Sequence, residues 1–369
     1  MSAAGGPLEP RQGGPSTNGV QVDEAPPGAL KGGTMTVPRT GPEGAQPLLE
    51  VNDLHVTFRV RGRSVFAVNG LSYSLAPAST LAIIGESGSG KTVASRAIMG
   101  LLPPTAEVTG SIRFDGREVV GAKERELRKL RTNDVAMVFQ NPERSLNPTM
   151  RIGPQVSEAI RLHMDLNRKA AHERTVDLLR RVRLPSPERR YFEYPHQLSG
   201  GMRQRVMIAL ALSCEPKPLI ADEATTALDV TTQAQIMDLL LDLQSELGMA
   251  LILISHDMGL AASYTEEVIV MYAGRAVERA TTKELFADVR MPYTRALLDA
   301  IPRVDAPSHT VLPMIEGRPP DLSVRIPGCA FAPRCPDVQD DCRKSSPGLT
   351  ELETGHAFAC FHPCGDGDA

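Results

Sequence analysis

Eight consecutive residues, Gly85–Glu86–Ser87–Gly88–Ser89–Gly90–Lys91–Thr92, have the types and spacing of a phosphate cradle. The glycines let backbone N–H groups close around phosphate oxygens without Cβ clashes. Lys91 is placed to reach β- and γ-phosphates, and the Thr92 hydroxyl to ligate Mg2+. Four residues further along have the chemistry that phosphoryl transfer to water still needs. Asp222 can hold Mg2+, through water, and Glu223 can orient and polarise the attacking water. Gln140 can touch both metal and water, and His256 can donate to a γ-phosphate. Taken singly each has an ordinary explanation, since a strand-ending Asp-Glu is common and a lone histidine is more often structural. Their joint arrival downstream of the glycine-rich loop makes that explanation a poor one.

The elements that must position them are legible as apolar runs. Leu81–Ile84 reads as a buried strand entering the loop, and Val93 to Leu101 as a helix leaving it, with its positive dipole end at the phosphate position. Val135–Phe139 ends in Gln140, Leu219–Ala221 in Asp222–Glu223, and Ala250–Ile254 in Ser255–His256–Asp257. Val268–Met271 is one more strand, while Ile236, Leu239, Leu240, Leu243 and Leu247 recur at helical spacing. Strands alternating with helices predict an α/β domain with a largely parallel core sheet, which binds ligands at the carboxyl ends of its strands. Upstream, Leu49–Val51, Leu54–Val60 and Ala67–Leu75 alternate as half-buried antiparallel strands do, and Ser111–Gly116 reads as a hairpin strand with its turn. Residues from about 150 to 190 mix helical apolar spacing with many charges, as a small helical subdomain would. The basic run Lys123–Arg131 is diluted by Glu124 and Glu126 and reads as a solvated helix face.

Composition narrows the class. The chain has 369 residues, room for about two domains, and 40 Lys+Arg against 44 Asp+Glu, so it is not a basic nucleic-acid binder. No window approaches the ~18 consecutive apolar residues of a membrane span. The N-terminus lacks the basic-then-apolar pattern of a signal peptide, so a cytoplasmic location is expected, with any membrane role supplied by a partner. Residues 1–46, rich in Gly, Pro, Ser and Thr, are expected to be disordered, with Met35 as an alternative start.

Of the six cysteines, Cys214 stands alone on an apolar helix and is expected in the core. Cys329, Cys335, Cys342 and Cys360 lie in the tail, with Cys364 close behind as a spare or competing ligand. A cytosolic setting argues against structural disulfides. The spacing C-x5-C-x6-C-x17-C lacks the C-x2-C knuckle of zinc sites, and four thiolates also suit an iron–sulfur cluster. Metal, cluster and reduced buried thiols all remain open on spacing alone.

A family resemblance rests on further residues. Leu198–Ser199–Gly200–Gly201–Met202–Arg203–Gln204–Arg205, lying between Gln140 and Asp222, resembles the signature motif of ATP-binding cassette (ABC) ATPases. Ser199, Gly200, Gly201 and the helix they open would be a second phosphate-binding helix end. The resemblance implies that this end faces the loop of an opposite protomer and closes ATP between two subunits. Ala227–Leu228–Asp229 resembles the D-loop of the same interface. One phosphate loop and one signature motif then imply dimerisation, with a second copy or a related ATPase. Residues 48 to about 280 carry this resemblance.

A finer match follows. Asn141–Pro142–Glu143–Arg144–Ser145–Leu146–Asn147–Pro148 and Pro292–Tyr293–Thr294–Arg295–Ala296–Leu297–Leu298 resemble the oligopeptide/dipeptide-importer ATPases, the D- and F-type subunits whose relatives also serve nickel uptake. Three departures are visible: Ala224 in place of the proline usual after the Glu, Pro218 at the approach to Asp222, where it would shorten the strand, and Met291 where the group often has His. The aromatic expected to stack on adenine is either Phe58 or Phe66. Gly328–Cys329, Arg334–Cys335–Pro336, Cys342 and Cys360 resemble the C-terminal extension of these ATPases, which in some relatives holds a [4Fe–4S] cluster.

The resemblance therefore implies a P-loop NTPase of the ABC type. It would have an antiparallel β subdomain, a helical subdomain at about 145–212 and a cysteine-containing extension. The divisions are 1–46, 47–300 and 301–369. It implies an ATPase using ATP and Mg2+, with a [4Fe–4S] cluster, or zinc, on the tail cysteines. Its partners would be a second ABC ATPase subunit, two membrane permeases docked at the Q-loop and helical subdomain, and indirectly an external substrate-binding protein, but no nucleic acid. The expected place is the cytoplasmic face of the membrane and the expected cargo di- or oligopeptides, with nickel or another small solute as the alternative. A soluble ABC ATPase of DNA repair or translation usually carries paired cassettes or a zinc or coiled-coil insertion, which this sequence does not display. A P-loop kinase or GTPase leaves the signature motif unexplained.

Overall fold

The computed structural model describes residues 46–60, 62–140, 145–226, 228–301 and 314–365. The expectations for the N-terminal segment to residue 45, with Met35, and for Asn141–Arg144 and Ala227 lie outside the described residues.

The first described elements are an antiparallel pair, β1 (Leu49–Val60) and β2 (Arg63–Leu75). Then β3 (Thr80–Ile84) runs through the glycine-rich loop into α1 (Lys91–Ile98). The chain returns along β1 as β4 (Ala106–Phe114) and turns through Asp115 and Gly116, both at positive φ, into β5 (Arg117–Glu118). Asp-Gly is the sequence such a primed two-residue turn demands. These four strands form one sheet in the order β2-β1-β4-β5. The basic run becomes α2 (Glu124–Lys129), which buries no side chain.

The central sheet has the order β11 (Thr350–Glu351), β12 (Ala357–Phe358), β10 (Arg275–Thr281), β9 (Glu267–Tyr272), β3, β8 (Ala250–Ser255), β7 (Pro218–Asp222), β6 (Ala136–Val138). Its parallel half is β6 (Ala136–Val138), β7 (Pro218–Asp222), β8 (Ala250–Ser255), β3 and β9 (Glu267–Tyr272). These strands are apolar on both faces because both faces are covered. On β3, Leu81 and Ile83 pack into the core beneath the antiparallel sheet, whereas Ala82 and Ile84 pack with Tyr272, Tyr293 and Phe331. Pro218 opens β7, a strand position where its missing N–H is tolerated, so the strand still spans five residues.

Between β6 and β7 the chain forms the helical subdomain: α3 (Ile152–Met164), α4 (Arg168–Arg181), the single turn α5 (Pro187–Arg190) and α6 (Gly200–Leu212). Val156, Ile160, Leu178, Leu179 and Val206 form its core with the inner face of α7 (Val230–Leu247). Cys214 sits beyond the end of α6, half-buried beside Ser213, and not in the core as its apolar neighbourhood predicts.

Past β8, α8 (Met258–Tyr264) leads to β9 and then to β10 (Arg275–Thr281), antiparallel to it. The helices α9 (Thr282–Ala287) and α10 (Pro292–Asp299) follow. The tail holds α11 (Asp340–Lys344) and two short strands, β11 (Thr350–Glu351) and β12 (Ala357–Phe358). β12 pairs with β10, so the tail extends the central sheet. The pairing is fastened by Glu278 and His356, both buried, at 2.9 Å. No helix among the described residues is long and apolar enough to cross a membrane.

Candidate active site

The glycine-rich loop joins the central strand β3 to α1. Gly85 and Gly90 are required by their surroundings: a Cβ would lie 2.2 Å from the Met271 carbonyl oxygen at Gly85, and 2.3 Å from that of Ala67 at Gly90. Both have positive φ. The Lys91 ammonium is folded onto the loop, donating to the carbonyls of Gly85 at 2.6 Å and Glu86 at 2.9 Å, with Ser89 Oγ at 3.4 Å. Burial lowers its pKa, opposed by the nearby carboxylates of Glu223, Asp222 and Glu86. Desolvation is what makes an anionic ligand favourable for this ammonium, and the hydrogen bonds that now hold it end on loop carbonyls rather than on a carboxylate.

Four of the strand-ending residues meet beside it. Thr92 Oγ1 donates to Asp222 Oδ1 at 2.9 Å. Gln140 Nε2 donates to Glu223 Oε2 at 2.7 Å, and His256 Nδ1 lies 3.8 Å from the other oxygen. Asp222 is only 3% exposed, and burial pushes its pKa up. Two oxygen donors, one a desolvated carboxylate, suit a hard divalent cation. Glu223 takes φ +48°, its N–H donating to the Ile254 carbonyl at 3.0 Å. A following proline would push it toward extended backbone, so Ala224 leaves the left-handed conformation accessible.

Ser199, Gly200 and Gly201 stand elsewhere. Ser199 caps α6, accepting from the Met202 N–H at 3.3 Å, and the two glycines face Leu228 and Thr232 at the start of α7. Asp229 caps α7 by accepting from the Thr232 N–H at 2.9 Å. Val230, next to it, is 84% exposed. The signature and D-loop residues thus meet where α6 and α7 begin. Of the two aromatic candidates, Phe58 packs against the core and Phe66 lies under the Arg325 guanidinium at 5.0 Å.

The tail brings Cys329, Cys335, Cys342 and Cys360 around one pocket, with Phe331, Phe361 and His362. Burial, with the neighbouring thiols adding, pushes Cys335 up to about 11 and Cys360 up to about 12. Among the described residues no three of these sulfurs lie within 4.8 Å of one another. That is wider than the edges of about 3.8 Å in a tetrahedral Zn–S4 site, which follow from ~2.3 Å Zn–S bonds. The pocket itself is narrow, about 10 Å3, so a cluster requires it to widen. Cys364 lies outside, its N–H donating to the Arg290 carbonyl at 2.9 Å. A carboxylate oxygen of Asp341, the Cys342 thiol and a His362 ring nitrogen do fall within 4.8 Å of one another, a donor set that cysteine spacing does not reveal.

A second feature escaped the sequence reading. The Arg334 guanidinium makes a two-pronged bond to the Glu86 carboxylate, at 2.6 and 2.9 Å, and the Glu86 N–H donates to Tyr293 Oη at 2.9 Å. Arg334 and Tyr293 both stand in motifs of the family resemblance, but no local pattern ties either to the loop.

Comparison with known proteins places this architecture. Residues 68–226 match the family described as ABC transporter, and residues 277–342 the Oligopeptide/dipeptide transporter, C-terminal region. The oligopeptide transport ATP-binding protein OppD of Escherichia coli (strain K12) is 48% identical over 331 residues, 89% of this chain and 97% of that protein. The dipeptide transport ATP-binding protein DppD of Bacillus subtilis (strain 168) is 45% identical over 318 residues, 86% of this chain and 95% of that protein. OppD of Mycobacterium tuberculosis is 47% identical over 316 residues, 85% of this chain, and the chain spans about half of its length, 52%. Among solved structures, the dimeric ATP-binding cassette MJ0796 in a post-hydrolysis state bound to ADP and Pi superimposes with a TM-score of 0.58 at 27% identity, covering 63% of this chain and 98% of that one. Fold and site together define an ATP-binding cassette of the P-loop class. The chain belongs to the ABC transporter ATP-binding family, in its oligopeptide/dipeptide branch.

Proposed function

We propose that this chain hydrolyses ATP as one half of a cassette dimer and powers import of di- or oligopeptides through two separate permeases at the cytoplasmic face of the membrane. The observation that carries the reading is the meeting of the Lys91 loop, Thr92–Asp222 and Gln140–Glu223–His256 at one sheet edge. The residues from Gly85 to Thr92 hold the phosphates; Thr92, Asp222 and Gln140 would hold Mg2+, which when bound offsets phosphate charge. Glu223 orients the attacking water and accepts its proton, steadied by Gln140, while His256 donates to the γ-phosphate. Ser199, Gly200, Gly201 and Asp229 complete the site of the partner protomer. One glycine-rich loop and one signature motif in the sequence support a site shared between two subunits.

Uptake of a labelled tripeptide by cells lacking the chain tests the transport role. Uptake should be lost, restored by the wild-type chain and not by Lys91→Ala. Unchanged peptide uptake with loss of nickel uptake would replace the cargo.

The same reading assigns a [4Fe–4S] cluster to Cys329, Cys335, Cys342 and Cys360, supported by four thiols around one pocket. Anaerobically purified protein should be brown and contain iron. Colourless protein with stoichiometric zinc would overturn this and favour a site built on Asp341, Cys342 and His362.

A further inference from the structure

We propose that Arg334 is a positioning residue for the phosphate loop, through which the cysteine-bearing tail sets the protein's affinity for nucleotide. The inference rests on the reading of Gly85–Thr92 as the ATP cradle.

Glu86 is the second residue of that cradle, and the tail and α10 hold both its side chain and its backbone. Its carboxylate takes both prongs of the Arg334 guanidinium across 248 residues of sequence. Its N–H is spoken for by Tyr293 Oη on α10. Its carbonyl is in turn one of the two that dock the Lys91 ammonium. A displacement of Glu86 therefore moves the resting place of the group that must meet the γ-phosphate.

Arg334 is itself rigidly held. Its side chain is 4% exposed, and its remaining N–H groups donate to Glu316 O at 2.9 Å, Ile315 O at 3.3 Å and Tyr272 Oη at 3.2 Å. A planar guanidinium with every prong occupied fixes its partner in direction as well as distance, which a lysine cannot do.

The other end of the link is the thiol pocket. Arg334 directly precedes Cys335, and the single turn between the first two cysteines is closed by Ala332 N–H to Cys329 O at 3.1 Å and Arg334 N–H to Phe331 O at 2.8 Å. Phe331, on that turn, lines the pocket and packs edge-on against Tyr272 at 5.4 Å and Tyr293 at 5.3 Å. A change in the separation of Cys329 and Cys335 is thus carried by one turn of backbone to the guanidinium, and by one ring to both tyrosines that contact the Arg334–Glu86 pair.

The test is the equilibrium affinity of the full chain for Mg-ATP, read by calorimetry beside the melting temperature. Arg334→Met and Glu86→Gln should each weaken binding about tenfold, within the usual range of coupling between sites. The double variant should be no weaker than the worse single one, and Arg334→Lys should restore little. Replacing Cys335 with Ser should weaken binding in the wild-type background and add nothing in the Arg334→Met background. Wild-type affinity in the Arg334 and Glu86 variants, or full additivity between them, overturns the inference, as does a lowered melting temperature with unchanged affinity. If Arg334→Met does not fold, Arg334→Lys and Glu86→Gln decide by the same readout. Wild-type protein that fails to bind ATP would instead sink the cradle reading itself.

Discussion

Gln140 and Glu223, 83 residues apart in sequence, meet with Gln140 Nε2 donating to Glu223 Oε2 at 2.7 Å. The bond ties the end of β6 to the end of β7 and leaves the second carboxylate oxygen beside His256. A carboxylate steadied on one oxygen, with the other 3.8 Å from His256 Nδ1, leaves a gap that a bridging water can fill. Glu223→Gln preserves shape while removing the basic oxygen. Turnover should fall at least ~100-fold with ATP binding retained, and an ATP-bound dimer should accumulate on size exclusion. Normal hydrolysis by this variant would remove Glu223 from its role.

Asp222 gives a prediction of opposite sign for stability and for activity. Burial raises its pKa above the ordinary 3.8, so the fold prefers the neutral form. Its contribution to stability is whole below the ordinary value and is lost as pH rises through the raised one, so at neutral pH the buried charge is a cost. Asp222→Asn keeps an acceptor for the Thr92 hydroxyl. It should stabilise the nucleotide-free protein at neutral pH, with a smaller gain in acid, and abolish Mg-dependent hydrolysis. Thermal melts across pH decide the matter, a lower melting temperature at pH 7 being the contrary outcome.

Much of the site was legible because each reactive residue ends a strand buried on both faces, and such strands announce themselves as short apolar runs. Leu81–Ile84, Leu219–Ala221 and Ala250–Ile254 needed only their polar termini to be read. The tail was not legible in this way. β10 places Glu278 and Arg279 inside a buried stretch, and a side-chain partner of Glu278 is His356, 78 residues away. β11 and β12 have two residues each, too few for any period. The four thiols were recognisable by type, while their shared pocket and the Arg334–Glu86 bond are products of tertiary folding. Ala224 was read as a mere departure, and only the φ of Glu223 gives it a physical meaning.

The glycines of the loop should separate by their surroundings. Gly90 and Gly88 both have positive φ, so an alanine at either is strained by about 1–3 kcal/mol. Gly88 has open space around its would-be Cβ, whereas Gly90 faces the Ala67 carbonyl at 2.3 Å. Gly90→Ala must therefore also push β2 away from α1. Urea denaturation should rank Gly90→Ala well below Gly88→Ala, and equal midpoints would contradict the close approach.

The buried Glu278–His356 pair should hold the tail to the sheet. Glu278 Oε1 accepts from the Arg290 N–H at 2.7 Å and bonds His356 Nε2 at 2.9 Å, while Oε2 has no hydrogen-bond partner among the described residues. Removing the imidazole leaves a fully buried carboxyl group with a single backbone donor, and opens space where the ring stood. The expected cost is about 2 kcal/mol for the lost partner, before any cavity term. Because β12 meets β10 in only two residue pairs, the loss should appear first as local opening rather than global unfolding. The Ala359 N–H, which donates to the Val277 carbonyl at 2.8 Å, reports that opening directly. In His356→Ala its hydrogen exchange should quicken far more than that of the β3 amides, and proteolysis should release the tail. Equal protection at Ala359 in variant and wild type would mean that packing of Phe331, not this pair, fastens the tail.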